Sequence, residues 1–111
     1  MPLTKIGKMS LKNQAGIVTR IRFSYLNDDG EKSVTSDCGG DITLGFEKTV
    51  DPGDCGVPDG STVSLYPWIA AAVKEVEAKR SFMYEKGNPM TAHYVISGVI
   101  NFNDLALNDI S

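Results

Sequence analysis

The residues of this chain whose types could do chemistry are two cysteines, one histidine and a set of aspartates held in glycine-rich segments. Asn27-Asp28-Asp29-Gly30, Asp37-Cys38-Gly39-Gly40-Asp41 and Asp51-Pro52-Gly53-Asp54-Cys55-Gly56 pack Asp and Gly together. Cys38 and Cys55 each follow an Asp and precede a Gly. A structural zinc site takes about four Cys or His ligands, and here there are two Cys and His93, far apart in sequence. A catalytic thiol needs a base and a third orienting group, and His93 is the sole imidazole. His93 sits mid-strand on the more polar face and reads as a rim histidine. Two readings of the thiols stay open: a disulfide between the two loops, or a pair of free thiols. The bridge would stabilise the fold by roughly 3 kcal/mol in an oxidising setting.

The carboxylates suit one cation, calcium, which takes oxygen ligands from flexible loops. Asp is equally the residue that turns select, because it bonds its own backbone and tolerates left-handed geometry. No EF-hand spacing occurs, since Tyr25 occupies the place of a first ligand. The ligand-binding candidates are therefore Tyr66 and Trp68, with Asp37, Asp41 and Asp54 at the loop rim; catalytic and metal residues are assigned to none. Tyr66 and Trp68 share one strand face, opposite Val63, Leu65 and Ile69. If the aliphatic set is core, the two rings point outward and suit sugar stacking, interfaces or the lipid headgroup layer. If the faces are reversed, Trp68 is a core residue. Arg20 and Arg22 share a face and are expected to pair with acids on a neighbouring strand.

Alternation predicts the elements that carry these residues. Gly16 to Tyr25 has Ile17, Thr19, Ile21, Phe23 and Tyr25 on one face and Val18, Arg20, Arg22 and Ser24 on the other, the half-buried strand pattern. A turn over Asn27–Gly30 returns the chain as Lys32–Ser36, with Val34 inward. Thr91 to about Phe102 is a second strand whose phase survives Gly98, a bend or a close packing point. Ser81–Glu85 and Thr91–Ser97 read as a hairpin about Lys86–Pro89. Asp41–Val50 keeps Ile42, Leu44 and Phe46 in phase, and Thr4–Lys12 reads as an edge strand. Thr62 to about Ala72 reads as a strand with Pro67 at an edge or bulge; one short helix near 68–80 is the alternative, supported by its Ala, Lys and Glu content. The tail Asn103–Ser111 keeps Leu105, Leu107 and Ile110 and is expected to dock.

The sum is an all-β chain, a single antiparallel β-sandwich of jelly-roll or immunoglobulin-like order over residues 1–111. The expected core is Ile17, Ile21, Phe23, Val34, Leu44, Val63, Leu65, Phe82, Tyr94, Ile96, Ile100 and Phe102. With 111 residues, 41% hydrophobic, and a net charge of −3, one soluble domain is expected, and phosphate neutralisation on nucleic acid is not. Met1–Lys5 lacks the pattern of a signal peptide, and no apolar run reaches the length of a membrane span. The profile is shared by many small lectins, lipid-binding cytolysins and other sandwich modules, a class analogy that transfers no residue. The expected function is a non-catalytic module binding a glycan or a membrane lipid, without nucleic acid. The alternative is an assembly protein that buries an apolar Thr62–Val73 strand in a homo-oligomer.

Overall fold

The structure is a computed structural model that describes residues 3–27 and 29–111; Asp28, in the expected Asn27–Gly30 turn, lies outside them. The strands are β1 (Lys5–Ile6), β2 (Lys8–Ala15), β3 (Thr19–Ile21), β4 (Phe23–Leu26), β5 (Lys32–Val34) and β6 (Cys38–Ile42). They continue with β7 (Glu47–Val50), β8 (Thr62–Leu65), β9 (Trp68–Ile69), β10 (Phe82–Tyr84), β11 (Thr91–Val99) and β12 (Phe102–Ile110). The all-β sandwich expected from alternation is what the chain builds. One sheet runs β12-β11-β2-β7, a second β1-β10-β8-β4-β5, and a third β6-β3-β9. The pairing is not purely antiparallel: β1 lies parallel to β10 and β2 parallel to β11.

Those two parallel pairs arise together. The chain leaves β1 and enters β2 through Gly7, and it leaves β10 and enters β11 through residues 85–90. Both switches go from the second sheet to the first, side by side. Gly7 N–H donates to Met90 C=O at 2.9 Å. A Cβ on Gly7 would stand 2.1 Å from the Asn88 carbonyl oxygen, so only glycine fits there. The expected hairpin of Ser81–Glu85 with Thr91–Ser97 is thus corrected: the two strands lie in different sheets. The N-terminal segment is likewise no edge strand throughout, because β2 is interior, between β11 and β7.

The second and third sheets share one register. Arg20 stands opposite Trp68, Phe23 opposite Leu65 and Tyr25 opposite Val63, as along one continuous antiparallel ribbon. Between them Tyr66 N–H donates to Arg22 C=O at 2.8 Å. The interruption is Pro67, which has no N–H. By the alternation of antiparallel pairs its nitrogen points away from β3, toward the side where β10 has ended, so the ladder loses nothing. The Gly16–Tyr25 strand is therefore two strands in one line, and Thr62–Ala72 is β8 and β9 followed by turns. No helix forms over 68–80; the one helical turn among the described residues is a 3-10 turn at Pro52–Cys55.

The core lies between the inner faces of the ribbon and of the first sheet. Ile21, Phe23, Val63, Leu65 and Phe82 meet Met9, Leu11, Tyr94 and Ile96, all at 2% exposure or less. Burial of such side chains contributes about 1.5–3 kcal/mol each before ordering entropy is subtracted. Four expected core residues are corrected: Val34, Leu44, Ile100 and Phe102 are exposed. Val34 is on the short edge strand β5. The other three sit where strands turn, because the predicted long strands end earlier than their phase does. The tail is β12, paired with β11 along its length, with Leu105, Leu107 and Ile110 packed on the core. Gly98 makes that hairpin possible: its φ is +102°, and a Cβ would stand 2.3 Å from the Phe102 carbonyl oxygen.

Cys38 and Cys55 are bonded to each other, with Cα atoms 6.1 Å apart. The bridge ties the start of β6 to the 3-10 turn. Asp51 caps that turn by accepting from Gly53 N–H at 2.8 Å, and the buried Tyr84 hydroxyl donates to the same carboxylate. The bridge spans 17 residues. A loop of that length predicts that reduction, or the paired change Cys38→Ser with Cys55→Ser, lowers unfolding free energy by roughly 3 kcal/mol. Urea unfolding with and without reductant measures it.

Candidate functional site

The outer face of the ribbon holds four of the five expected ligand-binding residues. Val63 and Leu65 are fully buried and Ile69 nearly so, which turns Tyr66 and Trp68 outward. Each ring is covered by the arginine opposite it. The Arg20 guanidinium lies 4.6 Å from the Trp68 ring centroid and that of Arg22 4.2 Å from Tyr66. Pairing of β3 with β6 then brings both flanking aspartates to Arg20: Asp41 accepts from Nε at 2.6 Å and Asp37 from Nη1 at 2.8 Å. The hydrogen bond from Arg20 holds the Asp37 carboxyl below its ordinary range. These groups are well exposed, so the ion pairs and the Arg20–Trp68 contact contribute little to stability.

The same face continues through the segment 70–80. The Tyr66 hydroxyl donates to Glu75, whose other oxygen lies 3.4 Å from Arg22. Glu77 accepts from Ser24 Oγ at 2.7 Å and from Lys32 Nζ at 2.5 Å. Burial pushes the Glu77 carboxyl up, but Lys32 and Ser24 outweigh it and pull it below the ordinary value. Tyr66 and Trp68 are thus outward but already carry the chain's own guanidinium groups. The doubly apolar strand expected over Thr62–Val73 is corrected: it ends at Ile69, Val63, Leu65 and Ile69 are buried in the chain's own core, Tyr66 and Trp68 on the other face are arginine-stacked, and Val73 lies beyond the strand.

Asp54 stands apart. It is exposed on the 3-10 turn, beside a cleft it shares with Lys8, Cys38 and Thr49. Among the described residues no group of three or more His, Cys, Asp or Glu is gathered so as to hold a metal ion. Asp37 and Asp41, the rim carboxylates nearest each other in sequence, are turned to Arg20 instead. His93 lies on the outer face of the first sheet, its Nδ1 2.7 Å from Ser10 Oγ and its Nε2 3.0 Å from Ser111 Oγ. Neither cysteine offers it a thiolate.

Sequence reasoning missed a second surface. Leu44, Phe46, Val73, Val99, Ile100 and Phe102 are exposed, Val73 and Phe102 at 82% and 80%. All six belong to one end of the sandwich. The end of β2 sits beside the end of β11, through Gly16 N–H to Gly98 C=O at 3.1 Å. Asn13 collects the loops around it. Its backbone exchanges hydrogen bonds with Gly45 and Phe46 at 2.7 and 2.9 Å. Its buried side-chain amide donates to Ile17 C=O at 2.8 Å and Ile42 C=O at 2.9 Å, and its Oδ1 accepts from Ala15 N–H at 2.9 Å. Val73 N–H donates to Asn101 Oδ1 at 3.1 Å, which joins the third loop. Just before it Ala71 has φ +62°, a left-handed turn that costs a non-glycine residue about 1–2 kcal/mol. The four segments 16–18, 43–46, 70–73 and 99–103 contain no charged residue. The signal available in the sequence was Gly45 and Asn101, turn residues placed inside apolar runs.

No family model and no curated protein matches this sequence. Solved structures do. Suilysin from Streptococcus suis superposes with a TM-score of 0.55 at 12% identity, over 95% of this chain and 23% of that one. Listeriolysin O gives 0.53 at 12% identity, over 92% of this chain and 22% of that one. The membrane-binding domain of pneumolysin gives 0.51 at 12% identity, over 93% of this chain and 96% of that domain. The chain spans under a quarter of the full-length neighbours and nearly the whole of the isolated domain. At such identity the likeness shows a shared fold.

Two outcomes follow from this geometry. Asn13→Ala leaves Ile17 C=O, Ile42 C=O and Ala15 N–H without their partner, and calorimetry is expected to show a loss of about 2–4 kcal/mol. Glu77, whose carboxyl is depressed in the folded chain, contributes stability that is present above its ordinary range and lost as pH falls through the depressed value. Urea midpoints followed from about pH 6 to pH 3 should therefore fall more steeply for the parent than for Glu77→Gln.

Proposed function

We propose that this chain is a non-catalytic, cytolysin-like module that attaches to a membrane by seating its apolar end in the lipid interface. The observation that carries the reading is where exposed hydrophobic side chains lie. Of ten large ones among the described residues, six are at the Asn13 end, and the others, Leu3, Leu26, Val34 and Met90, are scattered. Scattered apolar residues need no explanation, whereas a cluster at loop tips marks a contact surface. The absence of charge in those loops removes the main cost of entering a headgroup layer. Aromatic and aliphatic tips are suited to that layer, and the shared fold with a membrane-binding domain supports the same reading.

Lipid is favoured over glycan because the Tyr66 and Trp68 ring faces that a sugar would stack on are covered by Arg22 and Arg20. The lipid surface is a neutral one, since a chain of net charge −3 gains nothing from an anionic bilayer. Half-burying Leu44, Phe46, Ile100 and Phe102 contributes about 3–6 kcal/mol in total, a weak and reversible attachment for one copy.

The test is co-sedimentation with phosphatidylcholine vesicles, with and without cholesterol. The parent is expected to bind, with little dependence on salt, and Phe46→Asp and Phe102→Asp to lose at least tenfold in affinity. Leu26→Asp, at the opposite end of the ribbon, should bind as the parent does. A parent that ignores both vesicle types ends the reading.

A further inference from the structure

Beside the apolar end lies a small pocket that the tip itself does not use. Its walls are Arg22, Trp68, Lys74 and Glu75, over Pro67 and Ala72, and its cavity volume is about 70 Å³. The two cations in it are differently placed. Arg22 is held rigidly: its ring stacking on Tyr66 is joined by a hydrogen bond from Nε to Tyr66 C=O at 3.0 Å, and Nη2 faces Pro67 C=O and Glu75. Its Nη1 has no partner among the described residues, so one arm of the guanidinium fork remains available. Lys74 has no carboxylate within 4 Å among the described residues; its Nζ lies 5.9 Å from the Phe102 ring centroid, at the apolar tip. The left-handed turn at Ala71 sets Val73 outward and the following Lys74 at the pocket wall.

Of the carboxylates on this face, Glu75 lines the pocket with Arg22 and Lys74, while Asp37 and Asp41 are turned to Arg20 beside it. A free guanidinium arm and an ammonium with no ion pair among the described residues are what a phosphodiester monoanion requires: planar donors from Arg and a point charge from Lys. The volume admits a phosphate and its ester oxygens, and is too small for a sterol or an oligosaccharide. The position is also the right one, a polar pocket one residue back from side chains that enter the lipid interface.

We propose that the Arg22–Lys74 pocket binds the phosphate of a phospholipid headgroup, an inference that rests on the membrane reading of the apolar end. Headgroup and free phosphate share this chemistry, so the test separates them. Trp68 is the only tryptophan of the chain and lines the pocket, so its emission reports occupancy directly. The full chain is titrated with dihexanoylphosphatidylcholine below its micelle concentration, with inorganic phosphate, and with phosphatidylcholine vesicles.

The expected result is a saturable Trp68 change with the short-chain lipid, weaker with inorganic phosphate, and lowered about tenfold in affinity by Lys74→Gln. Lys74 is exposed and holds no ion pair among the described residues, so this variant is expected to fold as the parent. Phe46→Asp should abolish vesicle binding and leave the short-chain titration intact, so that failure of the tip and failure of the pocket are read separately. No Trp68 response to the short-chain lipid, an equal response in Lys74→Gln, or inorganic phosphate binding as tightly as the lipid would each overturn the proposal.

Discussion

Everything in this fold depends on two chain crossings that have to pass through the same place. The N-terminal strand switches sheets at Gly7, and the strand pair β10 and β11 switches beside it, with the Asn88 carbonyl where a Gly7 side chain would be. A methyl group there would push the crossings apart. Once they are adjacent, β1 must lie parallel to β10 and β2 parallel to β11, and the ends of the chain are joined across nearly its full length. Loop closure over such a separation is entropically costly, and the two buried sheet faces it brings together provide the compensation.

That arrangement also decides what the molecule can present. With β2 and β11 parallel, their C-terminal ends emerge together, Asn13 gathers the 15–17 and 42–46 segments, and Asn101 ties the β11–β12 turn to Val73. A buried amide with all its groups satisfied is a rigid support, so the loops around it are held while their tips stay apolar and exposed. The ribbon's outer face works differently. There the pairing of Arg20 with Trp68 and Arg22 with Tyr66 turns a row of exposed rings into an ordered polar surface, and Pro67 interrupts the ribbon without leaving an unpaired donor. Apolar tip, polar pocket and arginine-covered aromatic face are then three neighbouring surfaces on one scaffold.

Much of this was legible in the residues. The alternation of Ile17 through Tyr25 assigned the right inner and outer faces, and of the acids that pair with the arginines Asp41 lies on the neighbouring strand β6, whereas Asp37 just precedes it and Glu75, which pairs with Arg22, lies outside any strand. The two Asp-Cys-Gly loops did meet. Three of the four misassigned core residues share one cause. Leu44, Ile100 and Phe102 keep the phase of the strands beside them, and a period of two carries no information about where a strand stops. The alternative of a short helix near 68–80 failed for a related reason: Ala, Lys and Glu favour helix weakly, while the hydrogen bonds of Ala70 N–H to Val18 C=O and Ala78 N–H to Leu65 C=O tie that segment to the ribbon.

The sequence by itself determined the class of the fold and the inner faces of its clearest strands, because these follow from local alternation and backbone chemistry, while it left both faces open for Tyr66 and Trp68. Only the tertiary structure decided that Cys38 bonds Cys55, that the supposed hairpin is a sheet crossing, and that dispersed apolar residues become one exposed end. Those outcomes depend on which strand lies beside which. That choice is made by packing two sheet faces over long sequence separations, and no local pattern encodes it.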